Sequence, residues 1–316
     1  MEGNRHSGLL RVGVVGVGYL GRFHAEKYAS MDGVQCAAVV DRDRERAEAV
    51  ASRIGARAFQ HAEAIYSLVD AVSVAVPTSD HYDVARGFLA RGIDVLLEKP
   101  IASNVPQATG LVRLARMKGC ILQIGHLERF NSVWRVVEEA IEDPRFVEVH
   151  RLGPFQERGT DVDVVLDLMI HDIDIVLKFI RSPIRTIDSV GVPVLSSNID
   201  IANARIHFEN GAVANLTASR VTTKRTRRAR FFQKDLYVSV DYDTREIQVY
   251  RRTLTQEGMP EIVGRQEIVP PNDALREEVD SFVHNVRTRH SPEVDGEVGK
   301  RALKVALKIL RSARTA

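Results

Sequence analysis

One segment of the chain combines an apolar composition with acidic and imidazole side chains. Residues 164–176 read VVLDLMIHDIDIV and include Asp167, His171 and Asp174. In a helix, spacings of four and three residues put these three side chains on one face. Apart from a third carboxylate, Asp172, the remaining positions are apolar, which is typical of a buried helix, and unpaired charge is costly to bury. The stripe therefore indicates either an ordinary buried His–Asp pair or a ligand cleft in which the imidazole moves a proton.

The first half of the chain alternates short apolar runs with helical patterns. The runs are apolar throughout, as expected when both faces of a parallel sheet are covered. This alternation predicts an α/β fold with a Rossmann-type, doubly wound parallel sheet. The predicted strands are LLRVGVVGVG (9–18), VQCAAVVD (34–41), AVSVAVP (71–77), IDVLLEKP (93–100) and CILQIGH (120–126).

A glycine-rich loop follows the first of these strands and opens a helix. It reads Gly16-Val17-Gly18-Tyr19-Leu20-Gly21, and Asp41 ends the second strand about 20 positions later. This spacing is typical of a dinucleotide site, where the glycines allow a tight turn and close approach of the pyrophosphate, which lies at the helix N-terminus. Asp41 would bind the adenosine ribose hydroxyls and repel a 2′-phosphate, which favours NAD over NADP. Arg42 could partly offset that repulsion.

Ligands of such sheets bind beyond the carboxyl ends of the strands, so the residues there are candidates for function. Lys99 ends an apolar strand and precedes a proline, which favours a catalytic role over that of a solvated surface lysine. Further candidates at strand ends are Pro77, Thr78, Glu98, His126 and Arg129.

Length and composition limit the remaining possibilities. The 316 residues predict two domains, and a net charge of +2 gives no global field for nucleic acid or an anionic membrane. No apolar run approaches a bilayer span, MEGNRHSG is unlike a signal peptide, and two cysteines in apolar runs fit a reducing compartment, so we expect a cytoplasmic protein. Residues 220–230 carry six basic side chains, interpreted as a solvated or interface-facing strand or as a site for a diphosphate, without support for a nucleic-acid motif. We find no metal-ligand spacing.

The second half of the chain has a different pattern. The β-α alternation stops near residue 150, and several runs beyond it are predicted as strands. Within one of them, FENGA predicts an Asn-Gly hairpin turn. Two helical segments, 272–289 and 296–313, follow. We therefore predict an NAD-binding domain over 1–126 and an α+β domain over 127–316, whose last helices could pack back on the first domain.

The chain resembles the glucose–fructose oxidoreductase / inositol dehydrogenase / MocA family of NAD(P)-dependent oxidoreductases over nearly its whole length. The resemblance rests on GVGYLGRFHAEKY, VDRD, AVPTSDHYDVA, LLEKPI, GHLERFN, LDLMIHDID and EEVDSFVHNVRTRHSPEVDGEVGKRALKVAL. It implies a large open mixed, mainly antiparallel sheet in the second domain, with a homodimer or homotetramer forming through that sheet.

The resemblance also implies roles for individual residues. Lys99 would reach the reacting oxygen, Asp167 would hold a sugar hydroxyl, and His171 would act as general base or acid, oriented by Asp174. His126 and Arg129 would also lie near the substrate. The residues that would line the cofactor are Gly16, Gly18, Tyr19, Leu20, Gly21, Asp41, Arg42, Pro77, Thr78, His81, Glu98 and Lys99, with Glu98 near the nicotinamide ribose.

The substrate implied is a sugar or nucleotide-sugar. Members of the family often have glycines where this chain has Val162, Asp163 and Met169, and these bulkier residues predict a narrowed or re-aimed pocket. The run from 158 to 221 is most similar to the branch that oxidises UDP-N-acetylglucosamine to a UDP-3-keto sugar, on the way to the 3-amino sugar of lipid A. The alternatives are an inositol or free-sugar dehydrogenase and a non-catalytic, NAD-responsive binding protein, against which intact Lys99, Asp167 and His171 argue.

Overall fold

The computed structural model describes residues 8–155 and 162–313, and the chain divides into two compact units. The first unit holds the chain up to Leu127 together with Ala274–Leu303. The second holds Glu128–Asp273 and the chain from Lys304 onward. None of the described helices is long and apolar enough to cross a bilayer.

The first unit contains a parallel sheet of six strands, which confirms the doubly wound prediction. The strand order is β3-β2-β1-β4-β5-β6, so the chain reverses its direction of winding between β1 and β4. The strands are β1 (Leu10–Val15), β2 (Val34–Val40), β3 (Arg57–Phe59), β4 (Ala71–Val74), β5 (Asp94–Glu98) and β6 (Leu122–Gly125). The crevice expected at such a reversal lies beside the loops that follow β1 and β4.

Local sequence signals account for the helices of this unit. Asp43 and Asn104 accept hydrogen bonds from Arg46 N–H and Gln107 N–H as N-caps, while glycines end two of the helices in the left-handed conformation. The helices are α1 (Gly21–Ala29), α2 (Arg44–Ile54), α3 (Thr78–Leu89), α4 (Val105–Lys118) and α7 (Ala274–Thr288). Apolar side chains of α7, among them Phe282, join those of β1 and α1 in one buried core.

The second unit contains an open, mixed sheet of eight strands, as the family resemblance implies. Its order is β14-β13-β12-β11-β7-β10-β9-β8, with one parallel pair between β7 and β10. The strands are β7 (Phe146–Leu152), β8 (Ile184–Val192), β9 (Ile201–Phe208), β10 (Val213–Ser219), β11 (Thr226–Gln233), β12 (Leu236–Asp241), β13 (Glu246–Leu254) and β14 (Pro260–Ile268). Alternate residues of β7 and β10 are buried, so one face of the sheet is covered.

The helices of the second unit complete the fold. They are α5 (Val133–Ala140) and α6 (Ile170–Phe179), and α6 lies against β7 and β10. The last helix, α8 (Gly296–Ala313), has residues in both units, and its bounds match the predicted segment 296–313. The Asn-Gly hairpin is confirmed, since β9 and β10 pair antiparallel around Gly211, whose φ is 83°.

Candidate functional site

The loop after β1 has the backbone that a dinucleotide site requires. Gly16 has a φ of 83°, and a Cβ on Gly21 would lie 1.8 Å from the Gly16 carbonyl oxygen, so neither position accepts a side chain. A Cβ on Gly18 would meet no heavy atom within 4 Å. The packing of the chain therefore gives no reason for a glycine at 18, whereas close approach of a phosphate to the backbone does.

Asp41 is tied to this loop at the end of β2. Its carboxylate accepts a hydrogen bond from Val17 N–H at 3.0 Å and one from Asp43 N–H at 3.0 Å. The cation beside it is Arg46, whose guanidinium lies 3.3 Å from the carboxylate. Arg42, which the sequence predicts to offset part of the repulsion between Asp41 and a 2′-phosphate, is 83% exposed and pairs with Asp80 at 3.0 Å. The residue that could offset a 2′-phosphate is thus Arg46.

The ends of β4 and β5 are held together by a buried histidine. His81 is 1% exposed, and its two ring nitrogens lie 2.8 Å from the Pro100 carbonyl oxygen and 2.9 Å from that of Val76. Burial lowers the pKa of His81, which the two carbonyl oxygens only partly oppose. The ring thereby fixes the Val76–Thr78 loop relative to the Lys99–Pro100 peptide, which is cis. Lys99 itself is partly exposed at the end of β5.

Glu98 belongs to a buried polar cluster, which we call the acid cluster (His24, Glu98 and Glu278). His24 Nε2 lies 3.1 Å from Glu98, and its Nδ1 lies 3.2 Å from the Ser73 hydroxyl, which in turn meets the Tyr28 hydroxyl at 2.7 Å. Glu278, from α7, is fully buried, and neither of its oxygens has a hydrogen-bond partner among the described residues. The sequence predicts that Glu98 lines the cofactor, and the structure places its carboxylate on His24.

The acid cluster has metal-ligand residue types but is better explained by a bound proton. Its ligand atoms lie within 4.8 Å of one another. Burial, followed by the charge of Glu98, raises the pKa of Glu278 well above its usual range. Metal binding requires deprotonated ligands, whereas a neutral acid removes one of the two negative charges without any cation.

The helix that carries Asp167 and His171 departs from the regular geometry assumed above. Val165–Met169 form a π-helical turn that leads directly into α6. A π-turn closes i→i+5 hydrogen bonds, is rare, and is frequent at functional sites. Asp167 lies within this turn and His171 at the start of α6, and both are partly exposed. Met169, the bulkier residue at a position where family members often have glycine, is fully buried.

Asp174, the third member of the predicted stripe, binds an arginine. Arg129 donates from Nε to Asp174 Oδ2 at 2.5 Å and from a terminal nitrogen to Oδ1 at 2.8 Å. The two side chains are 4% and 2% exposed. Arg129, predicted to bind substrate, therefore neutralises a buried carboxylate of α6. His126, the other residue predicted beside the substrate from that segment, is 1% exposed.

A second group of charged residues was predicted only in part from the sequence. We call it the arginine cluster (Glu128, Arg151, Asp172, Arg227 and Tyr242). Arg151 lies 2.8 Å from Asp172 and 3.1 Å from Glu128, and Tyr242 donates to Asp172 at 2.9 Å. Burial lowers the pKa of Arg151, but the charge of Asp172 reverses this and leaves the pKa well above its usual range. The sequence signals were Asp172 in a mostly apolar helix and Arg227 in the arginine-rich segment 220–230.

The start of the π-turn is anchored by another buried ion pair. Arg220 donates to Asp200 at 2.7 Å and to the Val162 carbonyl at 2.9 Å. Although burial alone would raise it, hydrogen bonds from Ser196 and from the amides of Val194 and Leu195 hold the pKa of Asp200 well below its usual range. Arg220, the first basic residue of the arginine-rich segment, thus stabilises the folded chain ahead of the π-turn.

Comparison with known proteins agrees with this architecture. A family model described as an oxidoreductase family with an NAD-binding Rossmann fold matches residues 10–126. A second, described as the GFO/IDH/MocA C-terminal domain, matches residues 132–235. The chain belongs to the GFO/IDH/MocA oxidoreductase family.

Individual relatives narrow the comparison. The chain is 38% identical over 302 residues to a UDP-N-acetylglucosamine 3-dehydrogenase from Acidithiobacillus ferrooxidans, covering 95% of this chain and 96% of that one. A solved structure of a UDP-N-acetylglucosamine 3-dehydrogenase from the same organism superimposes with a TM-score of 0.91 at 36% identity, over 97% of this chain and 98% of the other. An inositol 2-dehydrogenase from Rubrobacter xylanophilus is 32% identical, over 60% of this chain and 58% of its own.

Proposed function

We propose that the protein is an NAD-dependent dehydrogenase that oxidises the 3-hydroxyl of UDP-N-acetylglucosamine to a ketone. The observation that carries this proposal is the full-length similarity to a UDP-N-acetylglucosamine 3-dehydrogenase, at 38% identity over 95% of the chain. Inositol dehydrogenases are less similar, at 24% identity where the match covers 93% of the chain and 32% where it covers 60%. The intact Lys99, Asp167 and His171 support a catalytic protein over a binding protein.

Each candidate side chain has a role in this reaction. His171 takes the proton of the hydroxyl, Lys99 stabilises the charge on the oxygen as the ketone forms, and Asp167 holds a neighbouring hydroxyl of the sugar. General base catalysis of this kind contributes roughly 10²- to 10⁴-fold to the rate. The nicotinamide cofactor supplies the hydride acceptor, and the protein supplies orientation and electrostatics.

We propose NAD rather than NADP as the cofactor. Asp41 places a carboxylate at the end of β2, where the adenosine ribose is expected, and its orientation is fixed by Val17 N–H. Arg46 lies 3.3 Å from that carboxylate, so it is already neutralising a charge of the protein. A 2′-phosphate would therefore meet a carboxylate whose nearest cation is engaged.

The experiment that tests the proposal uses substrate labelled with deuterium at carbon 3. Protein with bound NAD is mixed with labelled UDP-N-acetylglucosamine, and the reduced nicotinamide is analysed by mass spectrometry. We expect the deuterium in the reduced cofactor. Reduction of NAD without transfer of the label would place the oxidation at another carbon, and turnover of inositol alone would select the alternative function.

Substitution of Lys99 tests the assignment of the catalytic residues. We expect Lys99→Met to lower kcat by at least roughly 10²-fold, because the charge of the developing oxyanion loses its stabilising partner. Binding of NAD, measured by calorimetry, should remain. Arg91→Met, a change to an exposed residue of the same unit, is the matched control. Undiminished turnover in Lys99→Met would refute the role of Lys99.

We also propose that the product serves amination, as in the formation of a 3-amino sugar for lipid A, and that the open sheet forms a homodimer or homotetramer. The exposed apolar side chains of β14 support an assembly, since Ile262 and Ile268 are 75% and 71% exposed. Light scattering on the purified protein measures the oligomer, and a monomer would contradict the proposed assembly.

A further inference from the structure

Two arginines face each other across neighbouring strands on the covered face of the second sheet. Arg227 of β11 pairs directly with Arg151 of β7, and the next pairs on the same face are Ala229 with Val149 and Phe231 with Val147. Directly opposed residues of an antiparallel pair lie about 5 Å apart at Cβ, where like charges are destabilising. Such an arrangement persists in a fold only if anions compensate it.

The protein's own anions compensate one of the two arginines far better than the other. Arg151 is satisfied by Asp172 at 2.8 Å and Glu128 at 3.1 Å. Arg227 shares Glu128 at 3.8 Å, beyond hydrogen-bonding distance. Burial lowers the pKa of Arg227, and the charges of Arg151 and Arg225 lower it further. The charge of this half-buried guanidinium is therefore only partly compensated, and an additional anion would stabilise it.

Arg227 opens into a cavity of about 280 Å³. Arg225 also lines it and is 55% exposed at its side chain, although it meets Asp243 at 2.8 Å. Backbone hydrogen bonds hold Gly153 in place at the rim. Its N–H donates to the Ser219 carbonyl, and its own carbonyl accepts from Thr222 N–H at 3.1 Å. A Cβ on Gly153 would meet no heavy atom within 4 Å, so the backbone there is open to a ligand.

Four arginines line the cavity, namely Arg225 and Arg227 together with Arg151 and Arg220. Asp167, the residue expected to hold a sugar hydroxyl, lines the same cavity. One cavity therefore combines guanidinium groups, which suit a phosphate, with a carboxylate, which suits a hydroxyl-rich group. This combination matches a sugar linked to a phosphate.

We propose that Arg227, assisted by Arg225, binds the diphosphate of the nucleotide-sugar substrate in this cavity. The proposal rests on the proposed function and names the residues that select a nucleotide-sugar over a free sugar. Guanidinium groups bind phosphate oxygens in bidentate fashion, which gives both affinity and direction. An inositol carries no anionic group for these arginines to bind.

The same geometry predicts that Arg227 opposes folding stability while it serves binding. Arg227→Gln removes the repulsion with Arg151 and keeps a polar side chain at a partly exposed position. We therefore expect the variant to unfold at the same temperature as the wild type or at a higher one. This separates a loss of binding from a loss of fold.

The test measures binding of UDP and of uridine by calorimetry on NAD-loaded wild type, Arg227→Gln and Arg228→Gln. Arg228 is the matched control, because it lies next along the same strand, on the opposite face, where it donates to Ser239 at 3.0 Å. We expect Arg227→Gln to weaken UDP roughly 10- to 100-fold, the effect of losing hydrogen bonds to a charged group, with uridine unchanged. Arg228→Gln should bind UDP as the wild type does.

Steady-state kinetics separate this proposal from the proposed function. We expect Arg227→Gln to raise KM for UDP-N-acetylglucosamine with little change in kcat, because the diphosphate is bound equally in the ground and transition states. Turnover of UDP-N-acetylglucosamine by the wild type with an unchanged KM in Arg227→Gln would overturn the role of Arg227 and leave the function standing. A wild type that neither binds UDP nor oxidises the nucleotide-sugar would overturn both.

Discussion

Two buried clusters, one in each unit of the protein, neutralise charge in opposite ways. The acid cluster of the first unit brings two carboxylates, Glu98 and Glu278, to one histidine, and burial beside Glu98 raises the pKa of Glu278. The arginine cluster of the second unit matches a buried carboxylate with a guanidinium, as Asp172 is matched with Arg151. One cluster is therefore neutralised by a proton and the other by ion pairing.

This difference determines how each cluster responds to change. A carboxylic acid that must be protonated to stay buried makes the stability of its unit depend on pH. An ion pair with satisfied hydrogen bonds depends instead on the presence of both partners, since removal of one leaves an uncompensated buried charge. Substitutions in each cluster test this difference.

The largest expected effect is in the arginine cluster. Arg151→Met leaves the buried Asp172 without its cation, and we expect a loss of about 3–5 kcal/mol in the free energy of unfolding, measured with urea. Arg145→Met, at a side chain that is 52% exposed, is the control and should change stability by less than about 1 kcal/mol. A small effect of Arg151→Met would mean that the ion pairs of this unit are no more important than surface pairs.

Two tyrosines allow a matched comparison of the clusters. Tyr242→Phe removes a hydrogen bond to the charged Asp172, and Tyr28→Phe removes one to the neutral Ser73 hydroxyl. We expect losses of about 1.5–3 kcal/mol and about 0.5–1.5 kcal/mol, respectively. Both tyrosines are fully buried or nearly so, which keeps the two changes comparable. Equal losses of unfolding free energy in the two variants would contradict the view that only the arginine cluster is held by ion pairs.

The smallest expected effect is that of Glu278→Gln on the free energy of unfolding. It is small near pH 4.5 and grows as the pH rises. Because the folded-state pKa of Glu278 is raised above its ordinary 4.5, its favourable contribution is complete below that value and is lost as pH rises toward the folded-state pKa. A glutamine at this position cannot ionise, so the variant should gain on the wild type by up to about 1.4 kcal/mol for each pH unit in that window.

Thermal unfolding of the wild type and of Glu278→Gln at several pH values measures this slope. Glu277→Gln, the neighbouring residue on α7, is the control and should show no such trend, because it lies only partly buried. Parallel pH profiles for wild type and Glu278→Gln would show that Glu278 is already ionised in the folded protein.

Much of the nucleotide-binding half was predictable because its signals are local. The glycine loop, Asp41 and the β-α alternation each follow from neighbouring residues, and the structure has the predicted strands in parallel order. Only the short edge strand β3 was missed there. The predicted strands are apolar on both faces, so each one can be recognised from its own residues without knowledge of the strand it pairs with.

The candidate site of the second unit was only partly predictable. Of the helical stripe only Asp174 is buried, and the sequence predicted neither the π-turn at Val165–Met169 nor the strand β7 that carries Arg151. Arg129 was placed beside the substrate from its position, whereas the structure pairs it with Asp174. Glu278 left a signal on an apolar helix face, four residues before Phe282, that a search for buried charge would have found.

Local sequence patterns therefore predicted the glycine loop, the acidic residue after the second strand and most of the strands of the nucleotide-binding half. The partner of each buried carboxylate became visible only in the folded chain, because Arg151 finds Asp172 across 21 residues and Arg129 finds Asp174 across 45. Backbone patterns are set by steric limits and hydrophobic periodicity within a few residues. The partners of a buried charge are set by which chain segments the core brings together, and that information is absent from any single segment.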